Sequence, residues 1–418
     1  MDTIDLQQTP PPADMHDGLP DGLMTDAVAM SEDLIQLRRT LHREPETGLH
    51  LPRTQERVLE ALDGLPLEVT TGNATTSVTA VLRGGNPGPT VLLRADMDAL
   101  PVVEKLAIEF KSTNGAMHAC GHDLHTAMLV GAAQLLSPRR EQLAGNVLFM
   151  FQPGEEGHNG ADVMLGEGVL EATGEPPTAA YALHVTSSFL PAGTFASRTG
   201  AVMAAAARLL VTVVGAGGHG SAPHRALDPV PAMCEMVTAL QTFVTRSFDV
   251  FDPVVLTVGS IHAGTASNVI PESGTFEATI RSFSEASNAK VLDECLRVVR
   301  GIAAAHGLSV EAVAEPLFPL TVNDDGEAVR VRECVTETFG GRRWMDLPNP
   351  LTGSEDFSHV LQRVPGAMVF LGTHVPGADP RTAPYNHSPH AAFDDGFLAD
   401  GAALYSKLAL AHLVGTQG

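Results

Sequence analysis

The 418-residue sequence is poor in basic residues, with 26 Lys and Arg against 49 Asp and Glu and a formal net charge of −23. Such a chain repels polyanions, so the charge argues against nucleic acids and anionic membrane surfaces as partners. An anionic small substrate would also be repelled at long range. A site for one therefore needs local positive charge, which metal ions and a well-placed arginine can supply.

Cysteines are few, and long apolar runs are missing. The four cysteines show no framework spacing, which is typical of a reducing compartment; they are Cys120, Cys234, Cys295 and Cys334. No uninterrupted apolar run reaches the roughly 18 residues of a membrane span. The N-terminus has no charged segment followed by an apolar one. We therefore expect a cytoplasmic protein.

Nucleotide-binding loops are also missing. There is no Walker motif, and the glycine cluster at 215–220 does not follow the dinucleotide-binding pattern. This argues against a bound nucleotide.

The pattern along most of the chain predicts an α/β fold. Compact apolar runs at 77–82, 90–95, 146–151 and 179–184 alternate with helical stretches near 122–136 and 160–170. Such alternation is typical of a mostly parallel sheet covered by helices. We predict a metal-binding catalytic domain at 27–199 and 316–418, with its first helix at about 27–44 and its closing helix near 394–414. Residues 1–26 are rich in Pro, Asp and Gly and are predicted to be a disordered tail.

The middle of the chain predicts a second domain. Runs at 208–214, 254–261, 275–283 and 308–313 read as strands, and 229–243 and 285–306 read as helices. The order β-α-β-β-α-β is that of the ferredoxin-like split unit. We expect it to be an inserted lid or dimerisation domain at 200–315.

Five residues spread along the chain are candidate metal ligands. Their side chains are a thiolate, imidazoles and a carboxylate; they are Cys120, His122, Glu156, His184 and His387. Thiolate and imidazole ligands suit Zn²⁺ or Mn²⁺ better than Ca²⁺ or Mg²⁺. Five protein ligands exceed the need of one tetrahedral ion, so two ions that share a water fit better. The sequence predicts a two-metal hydrolase.

The pair Cys120 and His122 is also compatible with roles outside metal binding. Gly121 lies between them, where a chain turn would let both side chains converge. In isolation, a buried cysteine beside a histidine that starts a helix accounts for the pair equally well. A cysteine nucleophile activated by histidine is a further alternative. That mechanism does not require a pair of glutamates, so the pair counts against it.

The adjacent acids Glu155 and Glu156 follow an apolar run and a Gln-Pro-Gly turn. Alone, such a pair on a loop is usually just solvated. Beside metal ligands it suggests a division of labour, in which one carboxylate binds metal and the other transfers protons. The residues themselves do not decide which glutamate does which.

Asp96 and Asp98 end another apolar run, and alternation places both on one side of the chain. A carboxylate that orients a ligand histidine is a common need of metal sites. The alternative is an aspartate that caps a turn before a proline. This alternative can explain one of the two aspartates more readily than it explains both.

In the middle domain, His219 lies in the glycine cluster, and Asn268 and Arg281 follow it. An arginine offers two parallel donors to a substrate carboxylate. The alternatives are a loop histidine without a role and an exposed strand arginine.

Taken together, the motifs resemble the metal-dependent aminoacylase/carboxypeptidase family, and most closely its amidohydrolase branch, which contains hippurate hydrolases and hydrolases of auxin–amino acid conjugates. The motifs that carry this resemblance lie in family order across residues 30–415; they are Arg94-Ala-Asp-Met-Asp-Ala-Leu-Pro101, Met117-His-Ala-Cys-Gly-His-Asp-Leu-His125, Phe151-Gln-Pro-Gly-Glu-Glu156, Gly217-Gly-His-Gly-Ser-Ala-Pro-His224, Thr352-Gly-Ser-Glu-Asp-Phe357 and Asn386-His387-Ser388-Pro389.

The resemblance implies the same five ligands for two metal ions, with Glu155 as the general base. It implies that Asp98 orients a ligand and that His219 reaches the partner subunit's site to stabilise the oxyanion. Asn268 and Arg281 would hold the substrate's free carboxylate. Other branches carry a ligand histidine where this chain has Asp96, which leaves open whether Asp96 touches a metal.

The implied activity is hydrolysis of the amide bond of an N-acyl amino acid. A dipeptidase or carboxypeptidase of the same family is the alternative, and a non-catalytic ligand or metal sensor is a third possibility. The ligand set admits Zn²⁺, Mn²⁺, Co²⁺ or Ni²⁺. The family leads us to expect a homodimer, with a tetramer as the alternative.

Overall fold

The computed structural model describes residues 22–413. Its helices in that range are α1 (Leu23–Ala29), α2 (Ser31–Arg43), α3 (Pro52–Leu62), α4 (His122–Leu136), α5 (Gly160–Gly166), α6 (Pro229–Ser247), α7 (Glu285–Ala305), α8 (Asp325–Phe339), α9 (Ser358–Leu361) and α10 (Leu398–Leu413). Its strands are β1 (Leu67–Thr71), β2 (Val78–Arg83), β3 (Asn86–Asp96), β4 (Ala144–Gln152), β5 (Ala179–Thr186), β6 (Phe195–Ser197), β7 (Gly200–Met203), β8 (Ala205–Val214), β9 (Gly218–His219), β10 (Val254–Ala263), β11 (Val269–Ile270), β12 (Ser273–Ser282), β13 (Ser309–Phe318), β14 (Thr321–Asn323), β15 (Trp344–Asp346) and β16 (Gly366–Gly372).

The described residues form two compact units. One contains residues 22–202, Val322–Asn349 and residues 359–413. The other contains Met203–Thr321 and Pro350–Ser358. None of the helices between residues 22 and 413 has the length and apolarity of a membrane span.

The first unit is built on a sheet of eight strands among the described residues, in the order β1-β2-β4-β3-β5-β16-β6-β15. Its centre is parallel, because β4, β3, β5 and β16 run in one direction. These central strands are nearly continuous apolar runs and are buried, as parallel strands covered on both faces must be. The predicted α/β class with a mostly parallel sheet is confirmed.

Helices α4 and α10 cover this sheet. Nearly every residue of α4 is buried, which is typical of a helix that has neighbours on all sides. The two helices approach closely at Gly401, where an added Cβ would overlap the sulfur of Met128. This packing fixes the start of α4, and therefore His122, relative to the sheet.

The parallel strands bring the candidate residues to one edge of the sheet. Asp96 ends β3, Glu155 and Glu156 follow β4, and His184 lies near the end of β5. In α/β folds the groups that bind ligands gather at the carboxyl ends of the parallel strands. The topology therefore accounts for the meeting of residues that are far apart in the sequence.

The second unit contains an antiparallel sheet in the order β10-β12-β8-β13, with α6 and α7 packed against it. Its strands alternate buried and exposed residues, as expected when one sheet face packs on helices. The elements follow the β-α-β-β-α-β order along the chain. Its role as a lid or dimerisation domain stays a prediction.

One predicted boundary is wrong, because α1 begins at Leu23, within the tail predicted to reach residue 26. Leu23, Met24 and Ala27 are buried in the core, so tertiary packing outweighs the local Asp- and Gly-rich composition. Residues 1–21 of that tail lie outside the described residues. The helix predicted at 27–44 is interrupted at Met30, which separates α1 from α2.

Candidate metal centre

The site begins with a tight turn at Gly121. Its φ of +85° is left-handed, and an added Cβ would lie 2.3 Å from Cγ2 of Val185. Only glycine accepts both conditions without strain or displacement of its neighbour. The turn lets Cys120, just before α4, and His122, at its first position, face the same space.

The structure brings all five candidate ligands together. The Nε2 atoms of His184 and His387 lie 3.5 Å and 3.3 Å from Sγ of Cys120. His387 Nε2 is also 3.1 Å from Oε1 of Glu156. Among these five residues, ligand atoms within 4.8 Å of one another form two sets, Cys120 with His122 and His184, and Cys120 with Glu156 and His387. Cys120 belongs to both sets.

Two buried polar atoms of this cluster have no hydrogen-bond partner among residues 22–413. They are the two ring nitrogens of His122. The carboxylate oxygens nearest to His122, from Asp96 and Asp98, lie 3.6 Å away. A buried polar atom without a partner is costly. Thiolate, imidazole and carboxylate donors in this arrangement fit divalent metal ions.

His184 is presented in one tautomer. Its Nδ1 donates to the carbonyl oxygen of Val185 at 2.8 Å, so the lone pair on Nε2 faces Cys120. Burial holds the pKa of His184 well below its ordinary value, since the charged form is desolvated. A neutral imidazole with a free lone pair is the form that binds metals.

His387 lies at the exposed side of the cluster and has a strained backbone, with a φ of +72°. Its N–H donates to the carbonyl oxygen of Ala119 at 2.8 Å, which joins its loop to the turn before α4. Hydrogen bonds with Cys120 and Glu156 raise the pKa of His387 to about 10. Without metal, its imidazole therefore carries a proton at neutral pH.

Asp96 is already engaged by two neighbouring side chains. Its Oδ1 is 2.5 Å from Nδ1 of His125, and its Oδ2 is 2.7 Å from Nη1 of Arg94. Burial alone would raise the pKa of Asp96, but the charge of Arg94 and the nearby histidines holds it well below the ordinary value. These contacts favour a supporting position for Asp96 behind His122.

His125 is a site residue to which the sequence patterns assigned no role. Its Nδ1 faces Asp96, and its Nε2 accepts the N–H of Val185 at 2.8 Å, so both ring nitrogens are occupied. His125 therefore joins β3 to β5 beneath the cluster. The signal that could have found it is its spacing of three residues from His122, which places both rings on one side of α4.

Asp98 holds the turn that carries the paired glutamates. Its carboxylate accepts the backbone N–H groups of Glu155 at 3.0 Å and of Glu156 at 3.1 Å. Glu155 is buried next to Glu156. One aspartate thus orients the backbone of both glutamates.

Asn386 precedes His387 and was also assigned no role from the sequence. Its amide donates to the carbonyl oxygens of Cys120 at 3.3 Å and Val185 at 3.0 Å. Its Oδ1 accepts the N–H of Ser187 at 3.0 Å. Asn386 therefore fixes the loop of His387 against the segments that carry Cys120 and His184.

The other predicted site residues lie in the second unit. His219 in β9 is exposed and faces Val269 of β11, next to Asn268. Gly220, after His219, donates its N–H to the carbonyl oxygen of Asn268 at 2.8 Å. Arg281 lies in β12 and is half-buried, and burial lowers the pKa of its guanidinium. The structure thus brings His219 and Asn268 together.

Comparison with known proteins gives relatives along nearly the whole chain. Thermostable carboxypeptidase 2 of Saccharolobus solfataricus is 37% identical over 93% of this chain and 97% of its own length. IAA-amino acid hydrolase ILR1-like 4 of Arabidopsis thaliana is 36% identical over 91% and 86%. N-acetylcysteine deacetylase of Bacillus subtilis is 33% identical over 90% and 96%.

A solved structure has the same fold. It is a Bacillus subtilis protein described as a dinuclear metal binding peptidase of the M20 family, with a TM-score of 0.78 and 30% identity. The match covers 92% of this chain and 99% of that one.

The family predicted from the motifs is confirmed. The model of peptidase family M20/M25/M40 matches residues 92–411, which is most of the chain. The relatives, the metal-binding structural neighbour and the converging thiolate, imidazole and carboxylate groups agree with this assignment. The chain is a metal-dependent hydrolase of peptidase family M20/M25/M40.

Proposed function

We propose that the protein hydrolyses the amide bond of N-acyl amino acids, with two divalent metal ions in each chain. The observation that carries this proposal is the convergence of four donor side chains on Cys120, which is the fifth donor, with the buried Glu155 next to one of them. Relatives named IAA-amino acid hydrolase and N-acetylcysteine deacetylase support an acylated amino acid as the substrate.

One ion would be held by Cys120, His122 and His184, and the other by Cys120, Glu156 and His387. When bound, such ions lower the pKa of water and polarise a carbonyl group. Glu155 takes a proton from the attacking water and later delivers it to the departing amine. Asp98 keeps the backbone of Glu155 in place during both transfers.

Three residues of the second unit complete the proposed machinery. His219 stabilises the oxyanion of the tetrahedral intermediate. Asn268 and Arg281 bind the free carboxylate of the amino acid. In support, Arg281 has no carboxylate within ion-pair distance among residues 22–413, and its guanidinium donates to Oγ1 of Thr279 at 2.6 Å. A half-buried arginine without a counter-charge supplies the local positive charge that an acidic chain needs for an anionic substrate.

A peptidase is the second candidate. The relative named thermostable carboxypeptidase 2 favours a dipeptide or peptide with a free C-terminal carboxylate, which the same residues would bind. A non-catalytic sensor is disfavoured, because Glu155 has no evident use in a protein that only binds ligand or metal.

The preferred metals in this proposal are Zn²⁺ and Mn²⁺, with Co²⁺ and Ni²⁺ as alternatives that the same donors accept. We propose a homodimer in which His219 acts in the partner subunit's site, with a tetramer as the alternative. The sheet of the second unit has the edge strands β10 and β13, which offer unpaired backbone groups for such an interface. A cytoplasmic location is proposed because all four cysteines are free thiols.

The test of the proposed activity is hydrolysis of a panel of N-acyl amino acids and dipeptides. The enzyme is stripped with a chelator and then refilled with Mn²⁺ or Zn²⁺. Metal-dependent release of the amino acid from N-acyl substrates is the expected result. Preferential cleavage of dipeptides would favour the peptidase, and no turnover with two ions bound would contradict the proposal.

Subunit complementation tests the role of His219. His219→Ala and Glu155→Gln proteins are each expected to be nearly inactive. Mixed dimers would regain activity if His219 acts across the interface, because one of the two sites would then have both residues. Mixed dimers that stay inactive would contradict this arrangement.

A further inference from the structure

Four charged side chains are buried behind the start of α4, and the proposed mechanism uses none of them. Arg38 and His42 belong to α2, Glu104 lies in the loop 97–121, and Asp123 is the second residue of α4. Their exposed fractions are 2%, 1%, 3% and 0% in that order. A cluster of this kind calls for a physical reason, because buried charges are rare unless they are paired.

The four side chains form one continuous chain of contacts. Oδ2 of Asp123 is 2.7 Å from Nε of Arg38 and 2.8 Å from Nδ1 of His42. The other ring nitrogen of His42 is 3.3 Å from Oε1 of Glu104. Oε2 of Glu104 accepts the backbone N–H of Ser112 at 2.7 Å.

These contacts connect α2 to two segments of the metal centre. Asp123 directly follows His122, so a fixed Asp123 fixes the position of that ligand at the helix start. Glu104 and Ser112 belong to the loop 97–121, which contains no helix or strand and carries Cys120 near its end. Phe110 of the same loop packs against Arg38, with the guanidinium 4.8 Å from the ring centroid.

Stability alone does not account for this cluster. Buried ion pairs are often no more stabilising than well-packed apolar residues of similar volume, since desolvation offsets the attraction. A long loop that must deliver a ligand to within tenths of an ångström does need such restraints, because groups around a metal site set the orientation of its ligands.

We propose that Arg38 and His42 are positioning residues for the metal centre. Through Asp123 both residues hold the helix start that presents His122. His42 holds the loop that presents Cys120 through Glu104, and Arg38 holds it through Phe110. This inference rests on the proposed ligation of metal by Cys120 and His122.

The test uses the full-length protein loaded with Co²⁺, in which a cysteine ligand gives a thiolate-to-cobalt charge-transfer band. Arg38→Met and His42→Leu remove the two cations and retain apolar bulk. We expect each variant to bind Co²⁺ about 10- to 100-fold more weakly, the usual loss when a partner of a ligand is removed. The charge-transfer band should also shift or weaken at saturating Co²⁺.

Arg343→Met is the matched control. Arg343 is also a largely buried arginine of the first unit, with Nη2 2.6 Å from Oδ2 of Asp400 and its guanidinium 5.1 Å from the ring centroid of Phe339. Its partners among the described residues are Gly193, Phe195, Phe339 and Asp400, and none of them belongs to the metal centre. We expect this variant to lose thermal stability while its Co²⁺ affinity and spectrum stay those of the wild type.

The conservative variants Arg38→Lys and His42→Gln extend the test to proteins that keep a donor towards Asp123. Their Co²⁺ affinities should lie between those of the wild type and of the apolar variants. If Arg38→Met and His42→Leu do not fold, these two variants decide the outcome.

Wild-type affinity and an unchanged band in the Arg38 and His42 variants would overturn the positioning role alone. A wild-type protein without any charge-transfer band would overturn the proposed metal centre itself, and the positioning role with it.

Discussion

The carboxylate of Asp98 accepts the backbone N–H of Glu155 at 3.0 Å, although 57 residues separate them in the chain. The second oxygen accepts the N–H of Glu156 at 3.1 Å. The backbones of the proposed general base and of the neighbouring proposed metal ligand are therefore both held by Asp98. Any change at Asp98 should disturb both glutamates, whereas a change in the side chain of Glu155 should disturb proton transfer only.

Glu155→Gln should retain two metal ions and near-normal KM but lose about 10²- to 10⁴-fold in kcat, the usual contribution of a general base. Glutamine has nearly the same shape but cannot accept and return the proton. Steady-state kinetics with metal analysis of the purified protein checks this. Near-normal turnover in the variant would assign the proton transfers to another group.

Asp98→Asn should lower kcat by about 10- to 100-fold, the range seen when a partner of a metal ligand is lost. Asparagine keeps one carbonyl oxygen as acceptor, and its amide would face one of the two N–H groups that Asp98 now accepts. Part of the loss should appear as weaker metal binding, since Glu156 is displaced as well. A variant with wild-type kcat and metal affinity would show that Asp98 is not an anchor.

Metal uptake should release a proton from His387. The pKa of His387 is raised to about 10 in the metal-free protein. The protonated imidazole therefore adds to the free energy of unfolding. This contribution is complete below about pH 6.5 and is lost as the pH rises through about 10. Metal binding requires the neutral ring. Metal affinity should therefore increase with pH up to about 10.

Calorimetric titration at pH 7.5 in buffers of different ionisation enthalpy counts the released protons. His387→Asn should release about one proton fewer than the wild type. Equal proton release in the two proteins would mean that His387 is already neutral before the metal arrives.

The four cysteines should differ sharply in their reactivity with an alkylating reagent at pH 8. Burial raises the pKa of Cys295 to about 11 and of Cys334 to about 12, so both remain unreactive thiols in the folded protein. Cys234 is exposed and should react. Cys120 should react only after a chelator has removed the metal. Peptide mass spectrometry reports each site, and labelling of Cys120 in the metal-loaded enzyme would contradict its role as a ligand.

Arg281→Ala should raise KM for N-acyl amino acids by about 10- to 100-fold, because a hydrogen bond to a charged group contributes about 1.5–3 kcal/mol. Substrates whose carboxylate is amidated should bind the wild type and the variant alike. Arg208→Ala is the control, since Arg208 lies on the adjacent strand β8 and pairs with Glu315 at 2.8 Å. An equal KM effect in both variants would point to general electrostatics rather than a carboxylate site.

The sequence predicted the elements whose local signals are strong. Helix α4 has the predicted bounds of 122–136. Gly121 marks its start, and apolar residues continue along its length. The strands β2, β4 and β5 lie within two residues of their predicted limits for the same reason. Weak local signals failed, as at α1, where burial of Leu23 and Met24 overrides a composition typical of a disordered tail.

The sequence analysis assigned no role to Arg38 and His42, whose partners are distant in the chain. Both lie on α2 and are buried with Leu34 and Leu41. In the structure His42 meets Asp123, 81 residues away, and Arg38 meets the same carboxylate. Their pairing with Asp123 is not encoded in the sequence around either residue.

The sequence by itself determined which donor atoms are available, namely one thiolate, three imidazoles and a pair of glutamates, because the chemistry of a side chain is a local property. Only the tertiary structure decided their geometry. It placed Cys120 in both candidate ligand sets and paired Asp96 with Arg94 and His125. It also brought the backbone N–H of Glu155 to the carboxylate of Asp98. Hydrogen bonds and metal ligation depend on distances of a few tenths of an ångström between atoms far apart in the chain, and packing of the sheet and helices sets those distances.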